Sequence, residues 1–148
     1  MKKIFEAKSK HLDDFLPMAL DLWGVDYADY ELKEIFLGEL QSEKFNILLF
    51  SDDDEIAGFI FLSVRSDYVE GSTSNPTGYV EGIYVKPGQR KSGIARQLLL
   101  EGEKWLKKKG CTQIGSDAYI DNKLSYDFHT SVGFEETGKL VTFIKDIK

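Results

Sequence analysis

Hydrophobic positions change period several times along the chain. Lys2–Ala7 predicts a short first strand. Leu12, Phe15, Leu16, Ala19, Leu20 and Trp23 recur at helical spacing; Pro17 falls inside that run and predicts a kink or a late helix start. Tyr30, Leu32, Ile35, Phe36 and Leu40 predict a second helix. Phe45–Phe50 and Ile56–Val64 read as strands around a polar turn, Asp52–Glu55. Gly71–Gly78 reads as a loop and Tyr79–Val85 as a further strand. Ile94, Ala95, Leu98, Leu99, Gly102, Trp105 and Leu106 mark one face of a helix, with Lys107–Lys109 suiting its C-terminal dipole and Gly110 its stop. Cys111–Ala118 is expected as a strand, Asn122–Val132 as a short helix ending at Gly133, and Leu140–Ile147 as a closing strand. The order predicts a mixed α/β (α+β) domain with one sheet.

Size and charge narrow the picture. At 148 residues, one domain spanning 1–148 is the expectation, and its core needs no metal or disulfide. A net charge of −6 argues against a general nucleic-acid binder, whose surface must be basic. The charge is uneven: residues 1–85 carry 17 acids and 7 bases, net −10, and residues 86–148 carry 8 acids and 12 bases, net +4. That split points to one cationic and one anionic ligand, and Asp26, Asp29, Glu31, Asp67, Glu70 and Glu81 are candidates to line a cleft for the cation. Cys111 is the single cysteine, and neither a signal peptide nor an apolar run of membrane-spanning length is present, so a cytoplasmic protein with no membrane partner is expected. No His/Cys cluster has metal-ligand spacing.

The stretch with most chemistry is Val85-Lys86-Pro87-Gly88-Gln89-Arg90-Lys91-Ser92-Gly93-Ile94-Ala95. It follows a strand and opens a helix. Glycines allow close approach of a ligand to the backbone, the first helical turn offers unpaired N–H groups, and Lys86, Arg90 and Lys91 add positive charge. The physical reading is a pyrophosphate cradle; a Gly-rich connection with solvated bases is the alternative. Neither GxxxxGK[ST] nor GxGxxG occurs, which sets aside a P-loop and a Rossmann site.

Arg90-x-x-Gly93-x-Ala95, after Ile83-Tyr84-Val85, resembles the acetyl-CoA-binding motif of the GNAT family of N-acetyltransferases, and Gly133-Phe134-Glu135 resembles its C-terminal turn. Leu22-Trp23, Tyr68–Gly71, Tyr79–Val85, Gly115-Ser116-Asp117, Asn122 and His129-x-x-x-Gly133–Thr137 are similar to the aminoglycoside 6′-N-acetyltransferases within it. The resemblance implies a single mixed, mostly antiparallel sheet with flanking helices and a splayed strand pair that holds CoA. It implies acetyl-CoA as cosubstrate, no metal, and direct acetyl transfer in a ternary complex to an amine of a small cationic acceptor, the 6′-amine of an aminoglycoside. A homodimer is a further expectation, with Leu140–Ile147 pairing across subunits.

By the same resemblance Arg90, Lys91, Ser92, Gly93, Ile94 and Ala95 hold the pyrophosphate. The strand Ile83, Tyr84, Val85 flanks the pantetheine, Gly82 fits a bulge there, and a backbone N–H near Val85 polarises the thioester carbonyl. Asn122 hydrogen-bonds the pantetheine arm, or else caps a helix. Glu81 and Asp117 are the carboxylates that receive the acceptor amine; strand alternation puts Tyr79, Glu81, Ile83 and Val85 on one face unless a bulge intervenes. Trp23 and Tyr68 are the aromatic candidates for stacking on the acceptor, with a core role open for Trp23. His129 stands where many family members carry a tyrosine acid, and Tyr126 is a second candidate acid. Two other readings remain: the same chemistry on a polyamine, another small amine or a protein N-terminus, and a module that senses acyl-CoA without turnover.

Overall fold

A computed structural model describes residues 1–148. The chain divides into two compact units, Met1–Ser116 and Asp117–Lys148.

The first unit carries a five-stranded sheet whose spatial order is the chain order: β1 (Lys2–Glu6), β2 (Phe45–Asp52), β3 (Glu55–Arg65), β4 (Thr77–Val85) and β5 (Ile114–Gly115). The first four strands are antiparallel, and β5 joins β4 in parallel. Asp52 and Glu55 pair across a two-residue turn in which Asp53 and Asp54 both take positive φ, the geometry that matches strand twist in a tight hairpin. The strand predicted over Tyr79–Val85 begins earlier, because Thr77 and Gly78 already pair with Arg65 and Val64.

Two helices, α1 (Leu12–Trp23) and α2 (Asp29–Glu39), contribute Phe15 and Phe36 to one core with Ile47, Leu49, Phe59 and Phe61 of the sheet. α1 starts at Leu12 and runs through Pro17, so the late start does not occur. The packing of Phe15, Met18 and Ala19 holds a turn that lacks one backbone donor. The opposite sheet face receives α3 (Ile94–Lys108), whose buried residues Ile94, Leu98, Leu99, Gly102 and Leu106 form its apolar stripe. The approach is close: a Cβ on Gly102 would lie 2.6 Å from Leu62, and one on Gly78 2.6 Å from Leu106. Gly110, at φ +88°, ends the helix in a Schellman turn, its N–H donating to Lys107 and that of Cys111 to Leu106.

The expected strand Cys111–Ala118 shrinks to Ile114–Gly115. Cys111 is spent on the helix stop, and the ladder with β4 ends after Gly78↔Ile114 and Tyr79↔Gly115. The second unit holds α4 (Lys123–Ser131), followed by chain without regular structure. Leu140–Ile147 is not a strand: no strand of the chain supplies it with a ladder, and Phe143, Ile144 and Ile147 are at least 90% exposed. No helix is long and apolar enough to cross a membrane.

Candidate active site

β4 organises the first unit's chemistry. The register against β3 runs Ile60↔Ile83, Phe61↔Gly82, then Leu62↔Val80, so Glu81 is the extra residue of a β-bulge. The bulge falls at Glu81 with Gly82 as its paired neighbour, close to where the glycine predicted it. It also breaks the expected alternation. Glu81 reaches Ser63 and Arg65, on the face where Ser63 pairs with Tyr79, while Ile83 and Val85 point to the α3 face. Gly82 must lack a side chain, because its Cβ would stand 2.2 Å from Cζ2 of Trp23. Trp23 itself is half-buried, with Phe36, Phe59 and Phe61 ring centroids 5.8–6.4 Å away. The indole thus takes the core role, packed at the edge of the aromatic cluster and beside the bulge.

The Glu81 carboxylate is tightly held. Oε1 accepts from Ser63 Oγ at 2.6 Å, Arg65 Nη2 at 2.8 Å and Arg65 Nε at 3.1 Å; Oε2 accepts from Nη2 at 3.0 Å. The guanidinium lies 3.5 Å over the Tyr79 ring. These groups open onto a cleft of about 450 Å³ lined also by Phe45 and Asp67. Glu39, at the end of α2, has its carboxyl pushed up by partial burial and then by the charge of Glu81. Sequence reading missed Ser63, Arg65 and Glu39. The period-two polar pair Ser63 and Arg65, ending an otherwise apolar strand, was the available signal.

The other candidate acids divide. Glu31 caps α2 by accepting the Ala28 N–H at 3.0 Å. Tyr68 is exposed, its hydroxyl donates to Glu70, and that bond holds the phenol proton more firmly.

Beyond Tyr79, β4 has no ladder partner on the β5 side. Lys86 N–H donates to Ala57 of β3, so by strand alternation the N–H and C=O of Ile83 and Val85 face the open edge. The Val85 carbonyl there accepts Arg90 Nε at 2.7 Å, and Arg90 lies 5.2 Å from the Tyr84 ring. Tyr84 faces the other side, stacked on Phe59 and donating to Asp21; burial and that carboxylate push its phenol up.

The edge leads into the turn before α3. Lys91 (φ 63°) and Gly93 (φ 84°) are left-handed, an arrangement that turns successive N–H groups inward. Ser92 Oγ donates to the Gln89 carbonyl at 2.5 Å and braces the turn. The first helical bond is Gln97 to Gly93, so the N–H groups of Gly93, Ile94, Ala95 and Arg96 have no partner within the helix. A Cβ on Gly93 would meet nothing nearer than Gln97 Nε2 at 3.9 Å. Open space, inward donors and Arg90, Lys91 and Arg96 fit a diphosphate.

In the second unit Asp117 is exposed. Asn122 takes the helix-cap alternative, its Oδ1 accepting the Ser125 N–H at 3.0 Å. The Gly133-Phe134 turn is a Schellman cap on α4: Phe134 N–H donates to His129, Gly133 N–H to Thr130, and Gly133 has φ +99°. The contact that accompanies such caps is the Phe134 ring against His129, 5.0 Å between centroids. His129 Nδ1 lies 2.6 Å from the Ser125 carbonyl, which only accepts, so Nδ1 carries a proton. Tyr126 is half exposed. No three His, Cys, Asp or Glu side chains are grouped to hold a metal ion.

The model of the acetyltransferase (GNAT) family matches residues 11–134. The chain belongs to that family. This acetyltransferase is 40% identical over 143 residues to an aminoglycoside N(6′)-acetyltransferase type 1 of Acinetobacter haemolyticus, covering 95% of this chain and 96% of that one. It is 35% identical to the protein of the same name from Acinetobacter baumannii, covering 97% and 98%. Among solved structures, the apo aminoglycoside antibiotic 6′-N-acetyltransferase of A. haemolyticus superposes with a TM-score of 0.93 at 35% identity, over 99% of each chain. AAC(6′)-Iy in complex with the bisubstrate analogue CoA-S-monomethyl-acetylneamine gives 0.91 at 31% identity, again over 99% of each. The mixed sheet with flanking helices is thus the fold of this acetyltransferase family.

Proposed function

We propose that this acetyltransferase moves the acetyl group of acetyl-CoA onto the 6′-amine of an aminoglycoside, by direct transfer in a ternary complex. The observation that carries the chemistry is the open β4 edge running into the Gly93 turn, with Glu81 on the same strand. The acceptor rests on near-full-length similarity to enzymes named for that reaction. The family match runs across both units and supports reading residues 1–148 as one acetyltransferase domain.

Acetyl-CoA supplies the thioester carbonyl that the amine attacks. N–H groups from Lys91 to Ala95, with the Arg90 and Lys91 charges and the Ser92 brace, bind its diphosphate. Ile83 and Val85 offer edge N–H and C=O groups to the pantetheine amides, as an added strand would take them, and Tyr84 anchors the strand through Asp21. The Val85 N–H serves as oxyanion donor. Asn122, with Oδ1 on the cap, has its Nδ2 amide for the pantetheine. Glu81 and Asp117 receive the ammonium and orient the amine, and Trp23 and Tyr68 supply aromatic surface. His129, held through Nδ1 on the Ser125 carbonyl, and Tyr126, one turn earlier on α4, are the two candidate proton donors toward the departing thiol. The protein works in the cytoplasm, as a homodimer in which the exposed apolar segment 140–147 is covered by a second copy.

A thiol-release assay over aminoglycosides and polyamines tests the reading. Release with 6′-amino aminoglycosides, and loss of most kcat/KM in Glu81→Gln with CoA affinity retained, is expected. Release with spermidine alone overturns the acceptor; none with any amine points to an acyl-CoA sensor.

A further inference from the structure

Glu81 is an ionisable side chain in a bulge, and a bulged residue has no ladder partner to fix its direction. Its direction is set instead by β3. Ser63 and Arg65 lie two apart on one strand face, and both reach Glu81. A carboxylate oxygen accepts about two hydrogen bonds through its lone pairs. Oε1 already takes three donors, from Ser63 Oγ, Arg65 Nε and Arg65 Nη2, whereas Oε2 takes only Nη2. Arg65 is immobilised in turn by its stacking on Tyr79, and at 34% side-chain exposure it is partly withdrawn from solvent. The fork geometry is one that lysine cannot reproduce, because a point-like ammonium does not bridge both oxygens in a fixed plane.

We propose that Arg65 and Ser63 are positioning residues for acetyl transfer: they saturate Oε1 of Glu81 and leave Oε2 as the single oxygen that receives the acceptor amine. Glu81 then offers one acceptor in one direction, which fixes the approach of the nitrogen as well as attracting its charge. Without the clamp the carboxylate rotates, both oxygens compete for the amine, and productive geometry is populated less often. An error of about an ångström in such geometry costs up to ~10²-fold in rate. The effect falls on kcat more than on binding of the cosubstrate, since Arg65 and Ser63 lie on β3, away from the Gly93 turn.

The inference rests on the reading that Glu81 handles the acceptor amine, and a double-mutant cycle separates the two. Arg65→Gln is expected to lower kcat about 10–100-fold with acetyl-CoA affinity unchanged, and Arg65→Lys to recover only part of the loss. Ser63→Ala, which removes one of three donors to Oε1, is expected to lower kcat about 3–10-fold, the size of one ordinary net hydrogen bond because Arg65 still holds the oxygen. In a Glu81→Gln background, Arg65→Gln is expected to cost nothing more, because groups that act through one another are not additive. Full loss of activity on Arg65→Gln in both backgrounds means that Arg65 acts independently of Glu81 and overturns the proposal. So does full recovery by lysine, or wild-type kcat in both Arg65→Gln and Ser63→Ala while Glu81→Gln is impaired. Wild-type kcat in Glu81→Gln overturns the Glu81 reading itself, and the proposal with it. Should Arg65→Gln fail to fold, Ser63→Ala and Arg65→Lys measured in both Glu81 backgrounds decide the same question.

Discussion

Gly82→Ala perturbs the point where the core meets the bulge. The added methyl would sit 2.2 Å from Trp23 Cζ2 and 2.5 Å from Cη2, and ordinary contact begins near 3.4 Å, so the indole or the strand must give by about 1.2 Å. The indole is not a free side-chain tip, because its ring packs near Phe36, Phe59 and Phe61. Overpacking of this kind costs about 1–3 kcal/mol. For a chain of this size each kcal/mol lowers Tm by roughly 2–4 °C, so a loss of roughly 2–12 °C is expected in a thermal melt. Trp23→Phe, which removes the six-membered edge that clashes, should recover most of the loss when combined with Gly82→Ala. The pair should therefore couple rather than add. The same methyl pushes on Glu81 next door, so kcat should fall more in Gly82→Ala than in a surface variant of equal Tm. A Gly82→Ala protein that melts with the parent, with strictly additive Trp23→Phe, would refute the placement of the indole on β4.

Gly93→Ala forces a side chain into positive φ and should cost about 1–2 kcal/mol of stability, while Gly93→Asp should additionally weaken CoA binding, as calorimetry would show; Gly88→Ala, with open space and no positive φ, is the control. Glu39→Gln tests the charge around Glu81. Because the folded state raises the Glu39 carboxyl, its stability contribution is intact below the unfolded value, ordinarily near 4.5, and is lost as pH rises through the folded value. Glu39→Gln should then be more stable than the parent in urea at pH 7, by no more than about 0.5 kcal/mol, with the gap closing in acid. A gap independent of pH would contradict that assignment. For the apolar segment, Phe143→Asp with Ile144→Asp should convert a dimer to a monomer in light scattering; an unchanged mass would place the dimer contact elsewhere.

Periodicity served well where an element buries one face. α3 was legible because its stripe meets a flat sheet, and β2 and β3 because both of their faces are covered. The Gly93 turn was legible because its chemistry is backbone chemistry, written in glycines and adjacent bases over a few residues. Three things were not. β5 is short because its ladder with β4 ends after two pairs, and no local pattern in 111–118 encodes where a neighbour stops pairing. Leu140–Ile147 has strand composition, yet composition does not provide a ladder. The clamp on Glu81 joins residues 16 and 18 positions apart through a one-residue register shift, and such a shift leaves only a weak trace, here the glycine that follows it. For the same reason alternation misplaced Glu81 relative to Ile83 and Val85.

The chain-ordered sheet also bears on how the protein is made. All four antiparallel strands, with α1 and α2, lie within the first 85 residues, so their ladders have every partner before α3 exists. Hairpins close in microseconds, while synthesis adds about 5–20 residues per second. The 23 residues from Lys86 to Lys108 therefore take roughly 1–5 s to emerge, during which the sheet face around Leu62 and Gly78 has no helix to cover it. A nascent acetyltransferase of this topology passes through an interval in which four of its five strands are paired and one of their faces is uncovered. During that interval the uncovered apolar face is open to aggregation, whatever the stability of the finished fold.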